Sequence, residues 1–251
     1  MPANRIIPTL LLRNGRLVKG VRFSDHRDAG APATTSRAHS AQGADEIVVV
    51  DIDASREGRQ PHFAVLEAIS KEVQVPVTFG GGIASVALAR RALESGADKI
   101  ALTTTALDRP DLIDDAAHAF GAQAVVLGLD LVWRDGVLRL YDHRLRGTVD
   151  RPNPVEWVKE AVSRGVGEIR VMAVDREGVR EGFDVPLYAS IRELTDVPII
   201  LEGGAGNLTH IAEAMKAGVD SVGLGTLLVF SDNNLVKVRR FLEGAGLPMR
   251  P

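Results

Sequence analysis

The chain has 251 residues, 45% of them hydrophobic and 25% charged, with 30 basic and 33 acidic side chains for a net charge of −3. That balance argues against a surface that tracks nucleic-acid phosphates, which needs a basic excess, and the lack of any cysteine excludes disulfides, thiolate metal sites and a cysteine nucleophile. No stretch approaches the ~18 apolar residues of a membrane span, and the start Met1-Pro2-Ala3-Asn4-Arg5-Ile6-Ile7-Pro8 has neither an apolar h-region nor a cleavage site, so a cytoplasmic protein without a leader is expected.

Short β-branched runs alternate with amphipathic stretches along the whole chain, the pattern of a parallel sheet with crossover helices. In chain order the pattern predicts strand 6–12, helix 32–43, strand 47–52, helix 61–72, strand 76–79, helix 85–95, strand 98–102 and helix 110–119. It continues with strand 124–130, helix 154–164, strand 168–173, helix 185–194, strand 198–202, helix 207–217, strand 220–224 and helix 234–244. Pro110 after Asp108 and Pro154 after Asn153 read as first-turn prolines, and Gly96 and Gly218 sit where helices should stop. Asp135-Gly136 lies between apolar runs and predicts a small hairpin over 132–143. Residues 13–31 are polar, glycine-containing and longer than an ordinary loop between strand and helix, so they are expected to form a mobile lid. No linker or shift of composition divides the chain, and one domain over 1–251 is expected.

The two halves repeat. Val75-Pro76 matches Val197-Pro198, and at the same offset of 122 residues Gly81-Gly82 matches Gly203-Gly204, Gly96 matches Gly218, Asp98 matches Asp220 and Thr104 matches Thr226. Glu46-Ile47 falls on Glu168-Ile169 and Asp53 on Asp175. Eight evenly spaced units with this symmetry predict a (β/α)8 barrel made of two four-stranded halves rather than an open sheet.

In such barrels the active site lies at the C-terminal ends of the strands. Two glycine-rich turns follow strands and precede helices there, Phe79-Gly80-Gly81-Gly82-Ile83 and Glu202-Gly203-Gly204-Ala205-Gly206. Their backbone N–H groups can hold a phosphate, with Thr103 and Thr104 in one half, and Gly225, Thr226 and Gly178 in the other. A tight turn alone would also favour each glycine. Asp130 closes a wholly apolar run, Val125-Val126-Leu127-Gly128-Leu129, and is the first candidate for acid–base chemistry. Asp51 and Asp53 are weaker candidates, with loop capping as the plainer reading. Lys19 in the lid can reach a phosphate or a carbonyl, or be merely solvated. The six histidines show no metal-ligand spacing, so neither a metal nor another cofactor is expected.

Four charges stand at the opposite strand ends: Arg5, Glu46, Lys99 and Glu168. Two of each sign around one barrel mouth neutralise one another, and spacing alone favours a stabilising plug.

The stretches Arg5-Ile6-Ile7-Pro8, Gly15-Arg16-Leu17-Val18-Lys19-Gly20-Val21, Gly80-Gly81-Gly82-Ile83, Gly96-Ala97-Asp98-Lys99 and Gly203-Gly204-Ala205-Gly206 together resemble the HisF family over essentially the whole chain. HisF is the cyclase subunit of imidazole glycerol phosphate synthase, which turns PRFAR and ammonia into imidazole glycerol phosphate and AICAR. The resemblance implies a phosphate-binding barrel docked on a HisH-like glutaminase whose ammonia crosses the barrel. It implies that Arg5, Glu46, Lys99 and Glu168 form the gate ring, that Asp98 faces the glutaminase and that Asp130 serves catalysis; Lys19 is the second expected catalytic residue, from its place in the lid.

The sequence departs from that family at the catalytic end. Where the family's first strand ends in a catalytic aspartate, this chain has Leu11 within Pro8-Thr9-Leu10-Leu11-Leu12, leaving Asp130 alone of the usual pair. Thr103 stands for asparagine, Met172 for threonine, Glu177 for aspartate and Val179 for threonine. The variant first strand is similar to that of HisF-like glycosyl amidation-associated proteins of surface-polysaccharide gene sets, which implies amidation of a phosphorylated or nucleotide-sugar acceptor as the favoured function. The alternatives are the ordinary cyclase of histidine biosynthesis and a non-catalytic barrel that docks and activates a glutaminase.

Overall fold

Strands such as Ile47-Val48-Val49-Val50 are apolar on both faces, as a parallel sheet demands when helices cover one side and the sheet's own interior the other. The computed structural model, which describes residues 4–150 and 152–250, contains twelve strands. They are β1 (Arg5–Arg13), β2 (Arg16–Val21), β3 (Ser24–Gly30), β4 (Ile47–Asp51), β5 (Val77–Gly80), β6 (Lys99–Leu102), β7 (Val125–Arg134), β8 (Val137–Asp142), β9 (Gly147–Val149), β10 (Glu168–Ala173), β11 (Ile199–Glu202) and β12 (Ser221–Leu224). Parallel pairing runs β1-β4-β5-β6-β7-β10-β11-β12 and returns from β12 to β1, closing the expected eight-stranded barrel. The eight predicted helices are present within a few residues of their expected bounds, from Pro32–Ala41 to Leu235–Gly244, and short helices are added at Ala54–Glu57, Thr104–Asp108 and Thr226–Val229. No helix among the described residues is long and apolar enough to cross a membrane. Met1–Ala3, part of the stretch read as lacking a leader, lie outside the described residues.

Alternation sorts the core into two compartments. Ile6, Leu10, Leu12, Ile47, Val49, Ile199 and Leu201 join the large cluster between sheet and helices. Ile7, Val48 and Ile200, one residue out of phase, form a separate cluster inside the barrel. The inward set of β1 is therefore Arg5, Ile7, Thr9 and Leu11, bottom to top, and that of β10 is Glu168, Arg170 and Met172.

Two expectations are corrected. Residues 13–31 are strand rather than loop over most of their length: β2 pairs antiparallel with β1 and β3 with β2. The hairpin saturates the backbone of β1 beyond its last barrel partner and turns at Arg22 and Phe23, which hold φ of +49° and +61°. Pro110 is the residue before the helix Asp111–Phe120 rather than its first residue, whereas Pro154 does open its helix, with Asn153 as the cap. The predicted hairpin forms between β7 and β8, its Asp135 and Gly136 both at positive φ, and β9 adds a third strand to it. Phe23 and Tyr141, from the two insertions, meet edge to face with centroids 5.6 Å apart.

The repeat holds in three dimensions. Ser85 and Asn207 cap helices Val86–Glu94 and Leu208–Lys216 through the same bond, each side chain accepting from the backbone N–H three residues on. Thr103 and Gly225 share a rare backbone conformation, φ/ψ of −120°/−95° and −121°/−87°. Ser85→Ala and Asn207→Ala are each expected to lower the unfolding free energy by about 1 kcal/mol. The double variant should lose the sum within about 0.5 kcal/mol in urea titrations, because the two caps share no partner.

Candidate functional site

Arg5, Glu46, Lys99 and Glu168 meet at the N-terminal mouth in alternating sign. Lys99 Nζ lies 2.7 Å from Glu46 and 2.6 Å from Glu168, while Arg5 lies 2.6 Å from Glu168 and 3.5 Å from Glu46. Thr78 Oγ1 donates to the remaining oxygen of Glu46 and Arg5 Nε to Ser221 Oγ. Burial opposes the Lys99 charge, but the two carboxylates more than offset it and hold its pKa above the usual lysine value. Asp98 is exposed on the same face, with one oxygen accepting the Val77 N–H at 2.8 Å.

Above the apolar layer of Ile7, Val48 and Ile200 lies a second polar layer that sequence reading missed. Arg170 is 5% and Glu202 1% exposed, and they pair through Nε–Oε1 at 2.8 Å and Nη2–Oε2 at 2.7 Å. Thr9 Oγ1 donates to the same Oε1 at 2.7 Å. The available signal was the period of β10, in which Arg170 is the next inward residue after Glu168.

At the C-terminal mouth the first half of the barrel opens into a cavity of about 410 Å³. Leu11, Asp130, Arg170 and Met172 line it, together with Gly81, Gly82, Thr103 and Thr104. The Asp130 carboxylate makes no side-chain hydrogen bond among the described residues. Burial pushes its pKa up to about 6; the Arg170 guanidinium pulls the other way, and the Glu202 and Asp142 carboxylates add to the rise. Asp130 is thus a group poised to exchange a proton near neutral pH. The inserted strand β8 and the turn after it bring Tyr141 and His143 to the cavity, two further wall residues that motif reading did not single out.

Asp51 and Asp53 are committed elsewhere. Arg59 grips Asp51 with two bonds of 2.8 Å, and Arg13 and Arg56 hold Asp53 at 2.8 and 2.7 Å, so both act as loop fasteners. Lys19 does not project from a lid: it is buried on β2, ion-paired with Glu177 and packed against Gly225. Glu177 also accepts the N–H of Phe23, which ties the hairpin turn to the loop after β10.

The glycine turns serve packing as well as any anion. A Cβ on Gly81 would lie 2.0 Å from the Asp51 carbonyl oxygen, and one on Gly204 2.0 Å from that of Gly182, so neither position admits a side chain. In the first half, Gly81 and Gly82 share the large cavity with Thr103 and Thr104, and the Gly82 N–H donates to Ser55 Oγ. In the second, Gly178, Gly203, Gly204, Gly225 and Thr226 converge with Lys19 on a narrow cleft of about 30 Å³. Thr226 Oγ1 is buried there without a hydrogen-bond partner.

A family model described as "Histidine biosynthesis protein" matches residues 5–233. Proteins named imidazole glycerol phosphate synthase subunit HisF align with the chain nearly end to end. That of Clavibacter michiganensis subsp. michiganensis is 44% identical over 252 residues, covering 99% of this chain and 95% of the relative. Those of Thermococcus onnurineus, at 38%, and Exiguobacterium sibiricum, at 37%, cover 99% and 100% of the relative and the whole of this chain.

The raised pKa of Asp130 links to stability with a definite sign. Below about pH 3 the group is protonated both folded and unfolded, so it has no effect. As pH rises through 6 the unfolded chain has released a proton that the folded one retains, and stability falls. Asp130→Asn is therefore expected to be more stable than the natural protein at pH 7, by roughly 2–3 kcal/mol, with the difference gone by about pH 3. Chemical unfolding at the two pH values checks this.

Proposed function

The chain belongs to the HisF family of histidine biosynthesis proteins, and we propose that it is the acceptor-binding cyclase subunit of an imidazole glycerol phosphate synthase, fed with ammonia by a HisH-like glutaminase docked at the charged mouth. The observation that carries this reading is Asp130: a desolvated carboxylate without a side-chain partner, in a cavity that holds the glycine turn of the first half-barrel, beside a cleft that holds those of the second. The near end-to-end similarity to HisF subunits supports the same acceptor, PRFAR.

In this reading the two phosphates of PRFAR sit at opposite sides of the mouth. One is held by Gly81, Gly82, Thr103 and Thr104. The other is held by Gly203, Gly204, Gly225, Thr226 and Gly178, where the unpartnered Thr226 hydroxyl is a donor and Lys19 lies in the wall beside its partner Glu177. Binding there requires the narrow cleft of about 30 Å³ to widen. Two fixed ends place the acceptor carbonyl over Asp130, so ammonia arriving along the barrel axis adds to it as an intramolecular-like step. Asp130 removes a proton from the added nitrogen and returns it to the departing oxygen.

Leu11 supports a second reading. The top of β1 offers an apolar surface of a kind that suits amidation of a different acceptor, a nucleotide sugar whose acetamido group becomes an acetamidino group, since that conversion needs ammonia and carbonyl activation but no ring closure. Growth of a cyclase-deficient histidine auxotroph carrying this gene separates the two: normal growth supports the cyclase, and no growth despite a folded, glutaminase-bound barrel supports the altered acceptor.

Three outcomes follow for the proposed enzyme. Asp130→Asn should lose activity with ammonium salts by a factor on the order of 10²–10⁴. Leu11→Asp, which restores a carboxylate on β1, should raise cyclase turnover, an increase read directly as imidazole glycerol phosphate formed. Glu46→Ala should uncouple the ring: with the glutaminase present, product per glutamine consumed falls, while turnover with ammonium salts persists. Loss of stability with unchanged coupling would show that the ring is only a plug.

A further inference from the structure

The Arg170–Glu202 pair is a buried ionic feature that the reading above leaves without a task. It stands on the barrel axis between the apolar layer and the cavity, on neighbouring strands β10 and β11. Arg170 Nε donates to Glu202 Oε1, Nη2 lies 2.7 Å from Glu202 Oε2, which accepts no hydrogen bond among the described residues, and Thr9 fixes Glu202 in turn. The Nε hydrogen bond and the close ion-pair contact of Nη2 together hold the guanidinium against Glu202. Nη1 makes no hydrogen bond among the described residues, although Arg170 is a wall of the same cavity as Asp130, Thr103 and Leu11. A pair built only to fill the barrel would be closed on itself, because a donor left unsatisfied away from water is expensive. Here the open edge belongs to the one charged group that touches both Glu202, a wall of the second cleft, and the main cavity.

We propose that Arg170 is a catalytic residue: its Nη1 binds the carbonyl oxygen of the acceptor and stabilises the negative charge that gathers there when ammonia adds. Glu202 and Thr9 are its positioning residues. The assignment rests on the acceptor reading above. The nitrogen lone pair forms the C–N bond as the C=O π pair moves onto oxygen, where the guanidinium meets it. Asp130 transfers protons from nitrogen to that oxygen, which leaves as water, and a C=N bond remains. Carbonyl and ammonia go in, imine-type product and water come out, and no oxidant or reductant is needed. A preorganised cation in a site shielded from water suits this charge development.

The test uses the natural protein, Arg170→Lys, and the double variant Arg170→Met with Glu202→Gln, which avoids leaving Glu202 ionised and unpaired. Turnover is measured with PRFAR and ammonium chloride across pH 5–9, so that the glutaminase is bypassed. The expected result is a fall in kcat on the order of 10²–10³ in the double variant, with KM for PRFAR within about threefold. Arg170→Lys, which keeps charge but not the forked geometry, should fall between. The acid limb of the pH profile should move upward, because Asp130 loses the guanidinium that opposes its desolvation while the Arg144-bound Asp142 still raises it; Tyr141, His143, Arg13, Arg22, Arg56 and Arg146, which share the cavity, are unchanged. Unchanged kcat and pH profile in a folded double variant would overturn the assignment and leave the pair as packing. A raised KM with unchanged kcat would also overturn it, limiting Arg170 to ground-state binding. A natural protein inert with PRFAR and ammonium would overturn the acceptor reading, and this assignment with it. An active natural protein with an unimpaired double variant overturns the assignment alone.

Discussion

A charge can enter a barrel only in company, and Arg5, Glu46, Lys99 and Glu168 come from four different points of the chain to satisfy that condition. Removing one member of a buried pair costs about 3–5 kcal/mol through the charge left behind. The ring therefore does more than close the bottom. It sets β1, β6 and β10 and the residue before β4 at one height, and with side chains alternating every residue, that height determines which residues face inward in every layer above. A slip of one position in β10 would turn Glu168, Arg170 and Met172 outward and bring Ile169 and Val171 into the barrel.

The cavity at the other end depends on two insertions rather than on the barrel alone. The hairpin after β1 and the one after β7 carry Phe23 and Tyr141 to a common point beside Val132, Met172 and Val174. Arg22 and Phe23 hold left-handed φ without being glycine, a conformation that costs on the order of 1 kcal/mol per residue. Bonds to the loop after β10 hold them there: Arg22 N–H to the Glu177 carbonyl, Arg22 Nε to the Asp175 carbonyl and Phe23 N–H to the Glu177 side chain. Glu177 thus secures Lys19 and the turn together, which couples the second glycine cleft to the cover over the first.

The sequence made the barrel legible because periodicity, glycine stops and the 122-residue offset are all local or self-referential signals. It also made the ring legible, since four charges each stand where an apolar strand begins. Arg170 and Glu202 were hidden for a different reason: alone, each is an ordinary charge near a strand, and only the pairing of β10 with β11 brings them together. Lys19 was misplaced because polar residues 13–31 carry no strong alternation, so the pairing of Leu11 with Val18 that buries it could not be read. Asp51 and Asp53 looked like Asp130 in sequence and differ only through the arginines that fold back onto them.

The same offset shows how two similar halves become one asymmetric site. Glu46 and Glu168 are equivalent and remain alike, one from each half in the ring. Above them equivalence ends: Val48 corresponds to Arg170, and Gly80 to Glu202. In the second half the ion pair fills the interior and leaves a cleft of about 30 Å³. In the first half Gly80, whose Cβ would lie 2.8 Å from that of Ala101, and the short Val48 add no bulk beneath the mouth, and the cavity reaches about 410 Å³. Asp130 lies on β7, next to β10, so it sits at the border between the filled half and the open one. Its desolvation comes from the open half's apolar wall and its cation from the filled half. A symmetric interior would supply only one of these, and the carboxylate would be either neutralised by an arginine on each side or stranded without any.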